Sequence, residues 1–206
     1  MDSKQNSVID ARRRRWLIAT SVTGGIGCAA TLVPFGAYLG PSARARAEAA
    51  PVMVDTAGLH PGEMMTVAWR GMSVFIVNRT TAMMSEVIKA TPQVADPASD
   101  HTFSMPLPTY CHNVYLSRKD HSALLVVIGI CTHLGCTPIA RFAPGAQPSL
   151  PSDWPGGFLC PCHGSTYDLA GRVFKDKPAP QNLDVPRYRY DGPTNLVIGR
   201  DEYGEA

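Results

Sequence analysis

The chain has 206 residues, 45% hydrophobic and 17% charged, an ordinary composition for one folded domain with an appendage. The net charge of +2 gives no broad basic field, so no nucleic-acid partner is expected. Only the distribution of charge is informative. Four arginines, Arg12 to Arg15, stand directly before an uncharged run from Trp16 to Gly40. As a helix those 25 residues reach about 37 Å, against a bilayer core of about 30 Å, so the run can span a membrane.

Gly24, Gly25, Gly27, Thr20, Ser21 and Thr23 dilute the run, and Pro34 should kink it or sit near its end. A cleaved secretory signal would use Ala45-Arg46-Ala47 as its small-residue site. The arginine there and the length of the apolar run favour a retained anchor instead. Arg13-Arg14-Arg15-Trp16-Leu17 resembles a twin-arginine export signal, with Trp where Phe is usual. A basic flank before the span predicts a cytoplasmic tail over 1–15, an anchor over 16–40, and an exported remainder.

Residues 41–51, bounded by Pro41 and Pro51, are small and polar and read as a hinge, although their alanines permit a short helix. From Val52 the signals are those of strands. Thr66–Arg70 and Ser73–Asn78 flank Gly71-Met72, which predicts a hairpin turn. Thr80 to Ala90 has helical spacing, with Met83, Met84, Val87 and Ile88 expected on a core face. A polar loop follows over Pro92–Pro108. Leu124–Ile130 is a continuous apolar run, expected to be a buried strand delivering the chain to Cys131. Few strand signals appear between Pro138 and Gly157. Thr166–Leu169, Arg172–Phe174 and Leu196–Gly199 read as short strands. The region 52–206 is thus expected to be one mostly β domain with an insertion carrying the cysteines.

Of the six cysteines, Cys28 lies in the apolar run and Cys111 stands alone, expected to be a packed small residue. The other four cluster as Cys131-Thr132-His133-Leu134-Gly135-Cys136 and Cys160-Pro161-Cys162-His163-Gly164-Ser165. A zinc site takes four ligands and leaves two cysteines over. A disulfide scaffold leaves both histidines idle. A mixed arrangement uses all six: two Cys and two His on a metal, and a bridge between the spare cysteines. His60, His101, His112 and His121 have no motif around them and read as surface residues.

The two hexapeptides resemble the cluster-binding loops of Rieske iron–sulfur proteins of respiratory cytochrome bc complexes, whose centres carry His₂ in place of Cys₂ on one iron. The resemblance implies a [2Fe–2S] cluster with Cys131 and Cys160 on one iron and His133 and His163 on the other. It implies a Cys136–Cys162 disulfide, hydrogen bonds to the sulfurs from Ser165 and Tyr167, and Leu134 as a cover against solvent. Lys177-Pro178-Ala179-Pro180 is similar to the family's proline loop, with Pro178 and Pro180 in place and Lys177 where glycine is usual. The implied fold is an antiparallel β sandwich with a cluster-binding subdomain over about 129–181, behind one transmembrane helix.

The function implied is that of the Rieske subunit of a bacterial ubiquinol–cytochrome c reductase. Its partners would be cytochrome b, a membrane-bound c-type cytochrome and ubiquinol, in a dimeric complex of the inner membrane with the Rieske domain periplasmic. His163 is the expected quinol contact. The small Rieske subunit of an arsenite oxidase is the alternative. The anchor, the hinge and the Pro-Ala-Pro loop favour the bc complex.

Overall fold

The structure, a computed structural model, describes residues 11–101 and 105–204. The first ten residues of the basic tail, three residues of the polar loop and the last two of the chain lie outside the described residues. Two compact units meet between Ala47 and Glu48.

The first unit is dominated by α1, Ala11–Tyr38, 28 residues and so about 42 Å long. Trp16, Leu17, Ile26, Leu32, Val33 and Phe35 are all exposed on it, and none of its residues is buried. The helix is long and apolar enough to cross a membrane. Its hydroxyls do not spoil that surface. Thr20 Oγ1 donates to the carbonyls of Trp16 and Leu17, Thr23 Oγ1 to Ala19, and Thr31 Oγ1 to Gly27 and Cys28. Each of these three hydroxyls is therefore satisfied by its own helix. Pro34 is inside α1, near its end. The segment read as a hinge contains a helix, α2, Ala43–Glu48; the alanines that dilute its polarity are strong helix formers.

Among the described residues, the second unit is built on nine short strands: β1 (Val52–Asp55), β2 (Met64–Trp69), β3 (Met72–Asn78), β4 (Leu124–Ile128), β5 (Ile139–Arg141), β6 (Gly157–Leu159), β7 (Thr166–Tyr167), β8 (Tyr188–Tyr190) and β9 (Asn195–Ile198). They form three antiparallel sheets in the orders β1-β9-β8, β2-β3-β4 and β5-β6-β7. The mostly β architecture expected from the sequence, behind one apolar helix, is the one found. Residues Val74 to Val77 of β3 are all buried, so this central strand is covered on both faces, which its unbroken apolar run reflects. Phe75 stacks on Phe158 of β6 with ring centroids 5.8 Å apart, joining the second sheet to the third.

Several local expectations shift. The hairpin turn is Arg70-Gly71, not Gly71-Met72, because both residues have positive φ and Met72 already pairs with Trp69. The helix α3 spans Thr81–Ala90, capped by the Thr80 side chain accepting from the Met83 N–H. Met83 and Val87 are buried on it, but Ile88 is 54% exposed; at one residue past Val87 it turns about 100° off the core face. The run read as a strand to Ile130 ends at Ile128. Thr166–Leu169 yields only the two-residue β7, because the Asp168 carboxylate binds the N–H groups of Ala170 and Arg172 and closes a turn. The stretch with few strand signals contains β5 and ends where β6 begins. His121 is half-buried rather than a surface residue, its ring 3.9 Å from that of Tyr190.

Candidate metal centre

Both cysteine loops connect strands. The first leaves β4 and enters β5; the second leaves β6 and enters β7. They share one backbone plan. In the first, Cys131 N donates to Cys136 O at 2.7 Å and Gly135 N to Cys131 O at 2.9 Å. In the second, Cys160 N donates to Ser165 O at 2.8 Å and Gly164 N to Cys160 O at 3.1 Å. The fifth residue of each loop turns with positive φ, 84° at Gly135 and 74° at Gly164, which is why both hexapeptides need glycine there.

Cys136 and Cys162 are joined by a disulfide, tying loop to loop. Cys131 and Cys160 are buried and free. Burial pushes the Cys160 thiol above the ordinary range, and the Cys131 thiol beside it adds to the push, against backbone N–H groups that lower it. Two thiolates brought together in a buried site are unfavourable without a counter-charge, and a metal cation between them reverses that preference. The His133 and His163 rings meet edge to face, centroids 4.8 Å apart. His133 Nδ1 is buried without a hydrogen-bond partner. An orphaned ring nitrogen, two buried thiols and a second imidazole make a donor set that fits a sulfur- and nitrogen-bound metal group. Cys136, Cys160 and Cys162 also have their sulfurs within 4.8 Å of one another, but two of the three are spent in the disulfide.

The groups around the donors are placed by hydrogen bonds. Tyr167, fully buried on β7, donates its hydroxyl to Cys131 Sγ at 3.2 Å and accepts from the Thr132 N–H at 3.2 Å. Ser165 Oγ accepts from the Ala179 N–H at 3.0 Å, which leaves its own proton free for an acceptor in the site. Thr132 Oγ1 donates to Gln181 O at 2.7 Å. The segment around Pro178 and Pro180 is thus fastened to both loops. Pro178 and Pro180 are exposed while Ala179 between them is buried. Leu134 is 72% exposed, and His163 is exposed too. The left-handed residue here is Asp176, with φ 56°, and not Lys177, so a lysine at that position costs no backbone strain.

Sequence reasoning missed several supports. Thr132 and Gln181 join the proline segment to the first loop, and neither carries a motif of its own. Below β7 lies a buried ion pair: Arg172 Nη2 is 2.7 Å from Asp168 Oδ2, and the same guanidinium donates to Val87 O of α3 at 2.7 Å. Asn182 donates to Asp96 O and Ser99 Oγ and accepts from Val173 N. The i,i+4 spacing of Asp168 and Arg172 is a visible signal, but on the sequence alone it looks like any surface pair.

A model of the Rieske [2Fe–2S] domain matches residues 51–189. The chain is 48% identical over 190 residues to the ubiquinol-cytochrome c reductase iron-sulfur subunit of Allochromatium vinosum, covering 92% of this chain and 89% of that one. It is 37% identical over 189 residues to the subunit of the same name from Bradyrhizobium diazoefficiens, covering 91% and 94%. A solved structure titled hyperthermophilic respiratory Complex III aligns at 22% identity and a TM-score of 0.44, across 89% of this chain and 98% of that one. With its two cysteine–histidine loops inside the matched region, the chain belongs to the Rieske [2Fe–2S] family.

Proposed function

We propose that this chain is the electron-carrying subunit of a quinol–cytochrome c reductase in a bacterial inner membrane. It takes one electron from ubiquinol at cytochrome b and delivers it to a membrane-bound c-type cytochrome, within a dimeric complex. The observation that carries the reading is the exposure of His163 while the two free thiols, Cys131 and Cys160, are buried: one donor of the site reaches solvent while the two sulfur donors are enclosed. The names of the two curated relatives support the choice of partners.

Cys131 and Cys160 would hold one iron and His133 and His163 the other. When bound, the cluster accepts and returns a single electron, at a potential raised because neutral imidazoles replace two thiolates. The chain's own residues do the rest. The outer ring nitrogen of His163 faces the quinol and takes up the proton that leaves with the electron. Tyr167 and Ser165 donate to the sulfurs. The Cys136–Cys162 bond and the Pro178–Pro180 segment hold the loops, and Leu134 shields the tip with its outer face in water. Residues 1–15 stay in the cytoplasm, 16–40 anchor the chain, 41–51 act as a hinge, and 52–206 form the periplasmic domain.

Purification from membranes tests this. The dithionite-reduced protein should show the low average g value of a histidine-ligated [2Fe–2S] cluster by electron paramagnetic resonance, and haem b and haem c should co-purify. Zinc with no resonance signal removes the ligand assignment. Molybdenum in place of haem removes the reductase and favours the arsenite oxidase alternative.

A further inference from the structure

Beside the cysteine loops lies a cleft of about 220 Å³ that the electron-transfer site does not use. Trp154 and Phe174, both buried, belong to its lining, together with Pro151, Pro155 and Gln93. Its parts are fixed. Trp154 Nε1 donates to Arg141 O at 2.8 Å, Lys175 N to Gln93 O at 2.9 Å, and Phe174 N to Thr166 O at 3.1 Å. A cleft with pre-set walls binds without the cost of ordering them.

Three charged side chains line it: Lys175, Lys177 and Asp153. Lys175 Nζ is committed to Pro92 O at 2.8 Å. Lys177 is exposed and makes no hydrogen bond or ion pair among the described residues, so the cleft keeps a free ammonium and a net positive charge. It is also joined to the tip. Thr166 lines the cleft three residues after His163, and Lys177 stands two residues before Ala179, whose N–H holds Ser165.

We propose that this cleft is a docking notch for a carboxylate-bearing surface segment of the c-type cytochrome, with Lys177 as the counter-charge. The inference rests on the reductase reading. The pocket, with its fixed walls of Trp154, Phe174, Pro151 and Pro155, receives the partner's side chain, and the Lys177 ammonium, which with Lys175 outweighs Asp153, selects an acidic one and orients the encounter at His163. Charge at the rim of such a contact acts on association and its salt dependence more than on affinity.

The test uses the membrane-purified complex. Carbodiimide treatment should join Lys177 to an aspartate or glutamate of the c-type cytochrome, and Lys177→Gln should remove that product. Cytochrome reduction at low salt should slow roughly twofold to fivefold in Lys177→Glu, the scale of one exposed ion pair, and lose most of its dependence on salt. The resonance signal of the cluster should not move. A salt response identical to that of the unaltered protein, or a Lys177 product found on cytochrome b alone, overturns the proposal. If the unaltered complex transfers no electron from quinol to cytochrome, the reductase reading fails instead, whatever Lys177 does.

Discussion

The Tyr167 phenol holds its proton because burial raises its pKa, and the Cys131 sulfur it faces raises it further. It therefore acts as a donor to Cys131 Sγ throughout the ordinary pH range. A donated hydrogen bond favours the more negative state of a sulfur site, which is the reduced one. Tyr167→Phe and Ser165→Ala are each expected to lower the midpoint potential while the cluster still assembles, measured by redox titration of the resonance signal. Unchanged potentials in both would remove their assigned roles. Cys111 illustrates the opposite kind of residue. Burial pushes its thiol up to about 11, and the Tyr188 hydroxyl, 3.6 Å away, is its hydrogen-bond partner among the described residues. At pH 8 about one molecule in a thousand carries the thiolate, so iodoacetamide should label Cys111 only after unfolding. Labelling of the native protein at pH 8 would contradict the burial.

At the scale of elements, the sequence displayed what is local and concealed what is not. The cysteine loops were readable because their side chains, turn glycines and backbone bonds lie within six consecutive residues. The helix α3 was readable from its spacing. Of the third sheet only β7 was read. Its strands have two or three residues, and β6 opens on Gly157, which reads as a loop residue. In the structure a Cβ at Gly157 would sit 2.0 Å from Tyr167 O, so the glycine is there to let β6 and β7 approach. Arg79 was missed for a similar reason. It is buried, pushed down to about 10 by desolvation, and donates to Tyr115 O, Leu169 O and the Ser117 hydroxyl, partners 36, 90 and 38 residues away. The disulfide joins two of these elements across 26 residues. The loop-closure argument gives it roughly 3.5 kcal/mol. Replacing both Cys136 and Cys162 by Ser should lower the thermal midpoint of the cluster's visible absorption by several degrees. An unaltered midpoint would mean that the remaining contacts already hold the loops.

For the whole molecule, the question is how an apolar helix and a β domain work on one chain. The segment between them is part helix. Unwinding the six residues of α2 from 1.5 to about 3.3 Å each would lengthen the tether by about 11 Å. Removing four residues from 41–51 is therefore expected to slow cytochrome reduction at least severalfold while leaving the midpoint potential where it was, read by flash-induced kinetics and redox titration together. Equal rates in the shortened and full-length chains would mean that residues 41–51 are no hinge. The amino-acid sequence announced the long apolar helix and the metal loops, whose chemistry is carried by runs of adjacent residues. It withheld the buried polar ties, because a charge sequestered in the interior is written with the same letters as one on the surface.

The matched backbone plan of the two loops has a consequence for speed. Each loop is closed on itself by a bond from its first residue to its sixth and another from its fifth to its first, and the disulfide closes them on each other. Such a frame has few soft coordinates along which to relax when the charge it encloses changes by one unit. The contribution of these loops to the reorganisation energy is accordingly small, and a cluster held there would gain and lose an electron without waiting for its loops to rearrange.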